Sequence, residues 1–573
     1  MNKDNFFSFA FSWLYCIIFP ALLLAVTYLL GGARFDTNDD PTLALLLQGV
    51  AAARPLSDLH LYFLGWAQLT AVLYTWQPIF PWYDLLQVTW LYAALAGIFY
   101  LLTVVVSSNK RSGYLILLGG VLFVSSYALH LLQINFTRPA LLLGAVAAGL
   151  LALPASSRSV LIIRWLAAGF FFAAGWGIRP AAAELGLLLL APISLLRPVW
   201  HWVAAMLYVV LVSGTLMTVV HLTTTPAEVQ YARLNEIRTG AFDYQHYIFT
   251  LRTPTDSLAC ATLRLGSGPY DAKLISKDFL RRCLRPAAMS TTTALHGWAD
   301  AVKLLLRQWQ PLAWVLLLCQ WSVVLCATWR GQLGMRNYQL WVFVAYQLFF
   351  WMLYLGIGIY FHPVARVAQP MITVFLLGNF LLLASLEQLT LTVLPWRMGW
   401  VIIAGVALLF TVRHDFYLIR EGHQREQEHA KYLEQLTHQT AGTILVEGGL
   451  YEELDNLSLF KSYGLLRYQR ILSLCGWSTF DPSRPELYRY LTGQTDVATA
   501  LLLLGRRSDV TWVFEPDLAL VLQKYLNARC QLPAATAIIL MPVAGHTFHN
   551  GPQQYIFREV RKPVINSLPS YTH

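Results

Sequence analysis

FFSFAFSWLYCIIFPALLLAVTYLL (residues 6–30), then GGA, then RFDTNDDP (residues 34–41): an apolar run long enough to cross a bilayer is followed at once by three carboxylates within five residues. The run is too long for a signal-peptide core and has no small-residue cleavage site, so it reads as a retained first span. A spanning helix needs roughly 20 apolar residues at about 1.5 Å rise each, and the chain offers many such runs. Of its 573 residues, 57% are hydrophobic and 13% are charged, with a mean hydropathy of +0.50. A soluble globular protein carries about 25% charged residues, so that class is excluded. No alternating pattern of roughly ten residues, as a membrane barrel requires, is present.

Hydropathy predicts eleven spans, near 7–30, 84–106, 113–133, 138–154, 160–177, 182–197, 200–221, 309–329, 338–360, 370–387 and 397–412. One set of alternate short loops carries nine basic residues: Lys3, Lys110, Arg111, Arg158, Arg164, Arg197, Arg330, Arg336 and Arg397. The opposite set carries three, Arg138, Arg179 and Arg366. The positive-inside rule then puts the amino terminus in the cytoplasm. An odd number of spans places segments 33–83, 222–308 and 413–573 together on the outer side. The net charge of +10 is explained by this asymmetry and implies no nucleic acid.

Two domains are expected: a transmembrane domain over 1–412 and an extracytoplasmic domain over 413–573. In the latter, Thr443–Val446, Val510–Phe514 and Ala537–Met541 are β-rich and Leu518–Leu526 has helical periodicity, which predicts a small mixed α/β domain. It has no Gly-rich phosphate loop and no metal-spaced His/Cys set. Cys260 with Cys283, and Cys475 with Cys530, are even pairs in segments expected to face an oxidising compartment, so two disulfides are predicted. Asn135-Phe136-Thr137 and Asn456-Leu457-Ser458 match the glycosylation tripeptide, which arises readily by chance.

Asp36, Asp39 and Asp40 stand out in a chain so poor in charge. After them, Thr42–Ala52 is amphipathic, and Asp58–Trp76 carries Tyr62, Trp66, Tyr74 and Trp76, aromatic residues suited to an interfacial belt. Reading 59–76 as a full span would invert every later loop and contradict the charge count, so two juxtamembrane helices are expected instead.

A first span, an acidic motif directly after it, two juxtamembrane helices, about eleven spans and an outward carboxyl-terminal domain resemble the GT-C class of integral membrane glycosyltransferases, which includes protein O-mannosyltransferases and lipid A aminoarabinose transferases. The motif carrying the resemblance is Asp36-Thr37-Asn38-Asp39-Asp40. Leu59-His60-Leu61-Tyr62 stands where many members have a Pro-Pro pair, and no Trp-Trp-Asp acceptor motif is present, so the acceptor, whether glycan, lipid or protein, stays open. The resemblance implies transfer of a sugar from a polyprenyl-phosphate donor at the outer face of a bacterial inner membrane.

An alcohol with a pKa near 16 is a poor nucleophile at neutral pH, so a carboxylate must accept its proton. Asp39 or Asp40 is the candidate base, and Asp36 is placed to hold the base or a divalent cation. The leaving phosphate needs cations. Arg138, Arg179 and Arg366, each at a span end near proline, are the candidates, and arginine matches phosphate in a bidentate fashion. His60, His362 and Glu184 are further polar residues near these positions, Glu184 being placed to pair with Arg179. The competing readings are a helix cap for the aspartates, headgroup snorkelling for the arginines, and an O-antigen polymerase or ligase using Arg252, Arg264, Arg281, Arg282, Arg285 and His246 of the loop 222–308. A transporter or a membrane scaffold is the non-enzymatic alternative.

Overall fold

A computed structural model describes residues 14–60, 62–106, 117, 119–155, 157–244, 246–264, 271–287, 291–329, 338–361, 364–385, 397–530, 536–547 and 552–561. The chain begins with α1 (Leu14–Gly31), β1 (Arg34–Phe35), α2 (Asp39–Gln48), α3 (Trp66–Trp76) and α4 (Trp82–Val106). Next come α5 (Gly119–Leu132), β2 (Gln133–Ile134), α6 (Thr137–Ala152), α7 (Arg158–Ile178), α8 (Pro180–Leu190) and α9 (Val199–Thr223). The segment after α9 holds α10 (Pro226–Arg238), β3 (Tyr247–Phe249), α11 (Pro254–Arg264), α12 (Lys277–Cys283), β4 (Leu284–Pro286) and α13 (Thr291–Gln308). Four long helices follow: α14 (Pro311–Trp329), α15 (Tyr338–Phe361), α16 (Ala365–Ser385) and α17 (Arg397–Thr440). The carboxyl-terminal unit contains β5 (Ile444–Gly448), β6 (Arg470–Ser473), α18 (Arg484–Thr492), α19 (Val497–Gly505), β7 (Val510–Phe514), α20 (Pro516–Arg529), β8 (Thr536–Thr547) and β9 (Gln553–Arg561).

Among the described residues, eight helices are long and apolar enough to cross a membrane, and three predicted spans are shorter helices, α5, α6 and the stretch Pro180–Leu196. The shortening has local causes. A π-helical turn over Phe123–Tyr127 interrupts α5, and α8 gives way at Ala191 to a 3-10 segment containing Pro192. α6 is buried along its whole length, because it packs against protein on every side. A Cβ on Gly144 of α6 would collide with the Ala183 carbonyl, and one on Gly186 of α8 with the Leu141 carbonyl. Small residues at both positions let the two backbones touch, the usual way helices associate where lipid offers no hydrophobic contrast. By contrast α9, equally apolar, buries only Ala205.

Helices form in both segments read as juxtamembrane, α2 starting three residues earlier than expected, at Asp39, and α3 only at Trp66, eight residues into its segment. Its end is fixed by Gly49, held at φ +84° with its α-carbon against Pro55, a conformation that glycine adopts without a Cβ penalty. The predicted last span and the charged stretch after it are one unbroken helix, α17, of 44 residues.

The carboxyl-terminal sheet has the order β6-β5-β7-β9-β8. β5 runs parallel to β6 and β7, while β9 is antiparallel to β7 and β8. Successive residues of a strand face opposite sides, and β5 divides accordingly. Leu445, with Ile471 and Val513, joins the core continuous with the bundle. Ile444 and Val446, with Leu472, Trp512 and Phe514, join a second core. That second core includes Tyr231, Leu234, Ile237, Leu263 and Phe279 of the segment after α9, so the two long hydrophilic segments fold together.

None of the seven cysteines is disulfide-bonded, which corrects both predicted pairs. Cys475 is buried where β6 ends, beside Gly448 of β5, whereas the Cys530 thiol reaches the Ala498 carbonyl. Lys3, Lys110, Arg111, Arg330, Arg336 and His362 lie outside the described residues.

Candidate active site

The chain segment carrying the acidic motif is held on both sides by backbone. β1 pairs in parallel with β2, and Asp36 N–H donates to the Ile134 carbonyl at 2.7 Å. On its other side Phe35 N–H donates to Leu457 and Leu459 N–H to Ala33. The motif is thereby clamped between the α5–α6 connection and the carboxyl-terminal unit. Asp39 and Asp40 then form the first turn of α2, where the helix dipole favours negative charge.

Two of the predicted arginines reach this motif. Arg138 Nη2 lies 2.8 Å from Asp36 Oδ2, and Arg366 Nη1 lies 2.8 Å from Asp39 Oδ2. The pairs differ in setting. Arg138 is fully buried and also donates to the Leu129 carbonyl at 2.8 Å, so it is held inside the fold. Arg366 is 26% exposed, and its Nε has no partner. Arg179 donates to Thr137 Oγ1 and lies over the rings of Tyr62 and Phe136, 5.6 and 5.4 Å from their centroids. Arg179 and Arg366 are partly exposed, unlike Arg138. Glu184 does not pair with Arg179; it accepts from Trp176 Nε1 at 3.1 Å.

The two candidate bases are separated by their surroundings. Asp40 is sealed: Tyr83 Oη donates to Oδ1 at 2.7 Å, Phe136 N–H to Oδ1 at 3.1 Å and Asn135 Nδ2 to Oδ2 at 2.9 Å. Burial pushes its pKa up to about 8 against the pull of the Tyr83 hydroxyl, because removing a carboxylate from water disfavours its charged form. It does not line the cavity that Asp39 borders. Asp39 is 22% exposed, and its second oxygen accepts from Trp477 Nε1 at 3.0 Å.

Asp39 lines a cavity of about 180 Å³ between α2 and the carboxyl-terminal sheet. Glu447 at the end of β5 and Ser473, Cys475 and Gly476 at the end of β6 form its far wall, with Trp477, Arg238 and Arg484 at the sides. The strand order reverses about β5, and ligands of parallel sheets bind outside the carboxyl ends of strands at such a reversal. Arg484 is buried and bound to Ser478 through Nε and Nη2, yet its Nη1 has no partner. Burial raises the pKa of Glu447, whose Oε2 accepts from Leu450 N–H.

Sequence reasoning missed Trp477, Arg238, Arg484, Glu447, Asp243 and Asp455. Burial raises Asp243, which also feels Arg238 and Arg366; burial lifts Asp455 to about 6, opposed by the Asn38 N–H and reinforced by Asp36 and Asp39. None of these residues sits in a recognisable motif. They meet Asp39 only through folding of the two long hydrophilic segments. Asp36 and Asp39 are each paired to a guanidinium, and among the described residues the motif does not gather three metal-ligating groups. Asp36 holds Arg138. His60 lies outside the cavity lining, within reach of Asp58, Glu228 and Asp481. The sequence matches no known family profile and no curated protein.

Proposed function

We propose that the protein is a membrane glycosyltransferase of the GT-C kind, moving a sugar from a polyprenyl-phosphate donor to an acceptor hydroxyl, with Asp39 as general base. The observation that carries this reading is the position of Asp39. It stands at the start of α2 with one oxygen on Arg366 and the other on Trp477, at the wall of a cavity with both polar and apolar lining. A carboxylate so held is oriented, partly hydrated and open to an acceptor, which are the requirements of a base for an alcohol. Arg366 and Arg179 supply positive charge at the same end of the bundle, where a leaving phosphate needs it. The amino terminus is then cytoplasmic, and the cavity with the carboxyl-terminal unit is extracytoplasmic.

The polymerase or ligase reading finds less support. Arg282 is bound to Asp256, Arg285 to the Arg281 and Leu284 carbonyls, and His246 to the Tyr360 carbonyl, so these side chains have structural partners. The test is sugar release from a panel of polyprenyl-phosphate sugars by the protein in liposomes. Transfer that depends on Asp39 supports the proposal, whereas donor turnover unchanged in Asp39→Asn, or none with any donor, removes it in favour of a scaffold or transporter. Reporter fusions at Lys110 and His573 should give opposite signals; equal signals would overturn the orientation.

A further inference from the structure

Away from the Asp39 cavity, three metal-ligating side chains meet from two distant segments. Asp58 and His60 lie in the loop before α3, and Glu228 is in the first turn of α10. His60 Nδ1 is 3.4 Å from Asp58 Oδ1 and 3.4 Å from Glu228 Oε1. The ligand atoms of all three lie within 4.8 Å of one another. The imidazole is nine-tenths buried, and its Nδ1 has no hydrogen-bond partner.

We propose that Asp58, His60 and Glu228 bind a divalent transition-metal ion, zinc above all. The spacing supports an ion over a hydrogen bond. An N–H···O bond prefers about 2.7–3.2 Å, whereas two donors each about 2.1 Å from a tetrahedral zinc stand roughly 3.4 Å apart. One imidazole and two carboxylates are ligands that zinc accepts, and three protein ligands leave a fourth position for water. Asp58 is 46% exposed, so solvent reaches that position.

The supporting groups are also in place. Glu228 Oε2 accepts from Thr225 N–H at 2.9 Å in a capping box, leaving Oε1 turned to His60. Asp58 Oδ1 accepts the His60 N–H at 2.8 Å, which fixes the carboxylate beside the ring. On the ring's opposite edge, Asp481 Oδ1 lies 3.9 Å from Nε2, and the fully buried Asp481 side chain has an unpartnered Oδ2. The ion would tie the loop bearing Tyr62 to α10, and Tyr62 packs on Trp477 at 5.8 Å between ring centroids. The site stands independently of the glycosyltransferase reading.

The experiment uses the full chain in detergent, free of affinity tags and stripped of metal. Zinc is titrated against a chromophoric chelator, and cobalt is added as a spectroscopic substitute. The expected result is one ion per chain with visible bands of low-coordinate cobalt, and affinity reduced by about tenfold or more in both His60→Ala and Glu228→Gln. Glu228→Gln is nearly isosteric and keeps an acceptor for Thr225, so its metal-free melting temperature should match that of the unaltered protein. Zinc should raise the melting temperature of the unaltered protein and not of the variants. No stoichiometric ion in the unaltered protein, or equal affinity in both variants, would overturn the site and leave His60 as an imidazolium among carboxylates.

Discussion

Two halves of one acidic motif face different neighbours. The half turned to the bundle, Asp36 and Asp40, is closed: Arg138, Tyr83, Asn135 and the Phe136 N–H occupy its oxygens. The half turned to the carboxyl-terminal unit, Asp39, keeps exposure and borders a cavity. Successive helical residues point about 100° apart, so adjacent aspartates in the first turn of α2 face different neighbours. The bundle-facing carboxylates are held among buried groups, and Asp39, held by Arg366 and Trp477, borders the cavity.

The sharpest way to break this contrast is Asp39→Asn, which keeps volume and removes the proton acceptor. Transfer should fall by about 10²–10⁴-fold with melting nearly unchanged, read in the liposome assay; full activity would end the contrast. Arg138→Ala tests the closed half. It strips the buried partner from Asp36 and should cost about 3–5 kcal/mol of stability, read by thermal unfolding, and a variant as stable as the parent would show that the pair holds nothing. Arg366→Ala removes a partly exposed partner instead. Its stability cost should stay under about 1 kcal/mol, while transfer drops roughly tenfold through loss of a charge-assisted contact, so equal losses of stability and rate would blur the two halves.

Asp40→Asn should do least to the rate, leaving transfer within roughly threefold, about 0.6 kcal/mol. Its effect belongs to pH. With a folded pKa of about 8 above the ordinary carboxylate value of about 3.9, the folded chain keeps a proton that the unfolded chain has lost. The contribution of this group to stability is therefore full below pH ~4 and declines as pH rises to about 8. Asp40→Asn, fixed neutral, should flatten that decline in unfolding curves collected across the interval; an unchanged slope would place the titration elsewhere.

Much of the architecture was legible because lipid imposes a simple rule on composition. Long apolar runs became helices, and the acidic motif was conspicuous against a charge-poor background. Hydropathy could not tell α6 from α9, one enclosed by protein and the other almost bare, because a leucine facing lipid and a leucine facing protein read alike. Val510–Phe514 was read as a strand and is one, but Arg470–Ser473 is too short and Gln553–Arg561 too polar to announce themselves. Within the site the residue types were legible and their roles were not. Whether Asp39 or Asp40 faces the cavity depends on helix phase, and Trp477 and Glu228 arrive from segments that no local pattern connects to the motif.

α17 has a mechanical meaning. Its 44 residues at ~1.5 Å each make a rod of about 66 Å, roughly twice the ~30 Å hydrocarbon core, with no loop to act as a joint. Partway along, Glu426 meets Arg34 at 3.3 Å and Lys461 at 2.8 Å, gripping the rod where the first loop passes. Such a rod behaves as a lever with a fulcrum. A tilt of about 5° about that grip displaces the end at Thr440, about 21 Å beyond it, by about 2 Å, and helices answer changes in bilayer thickness by tilting.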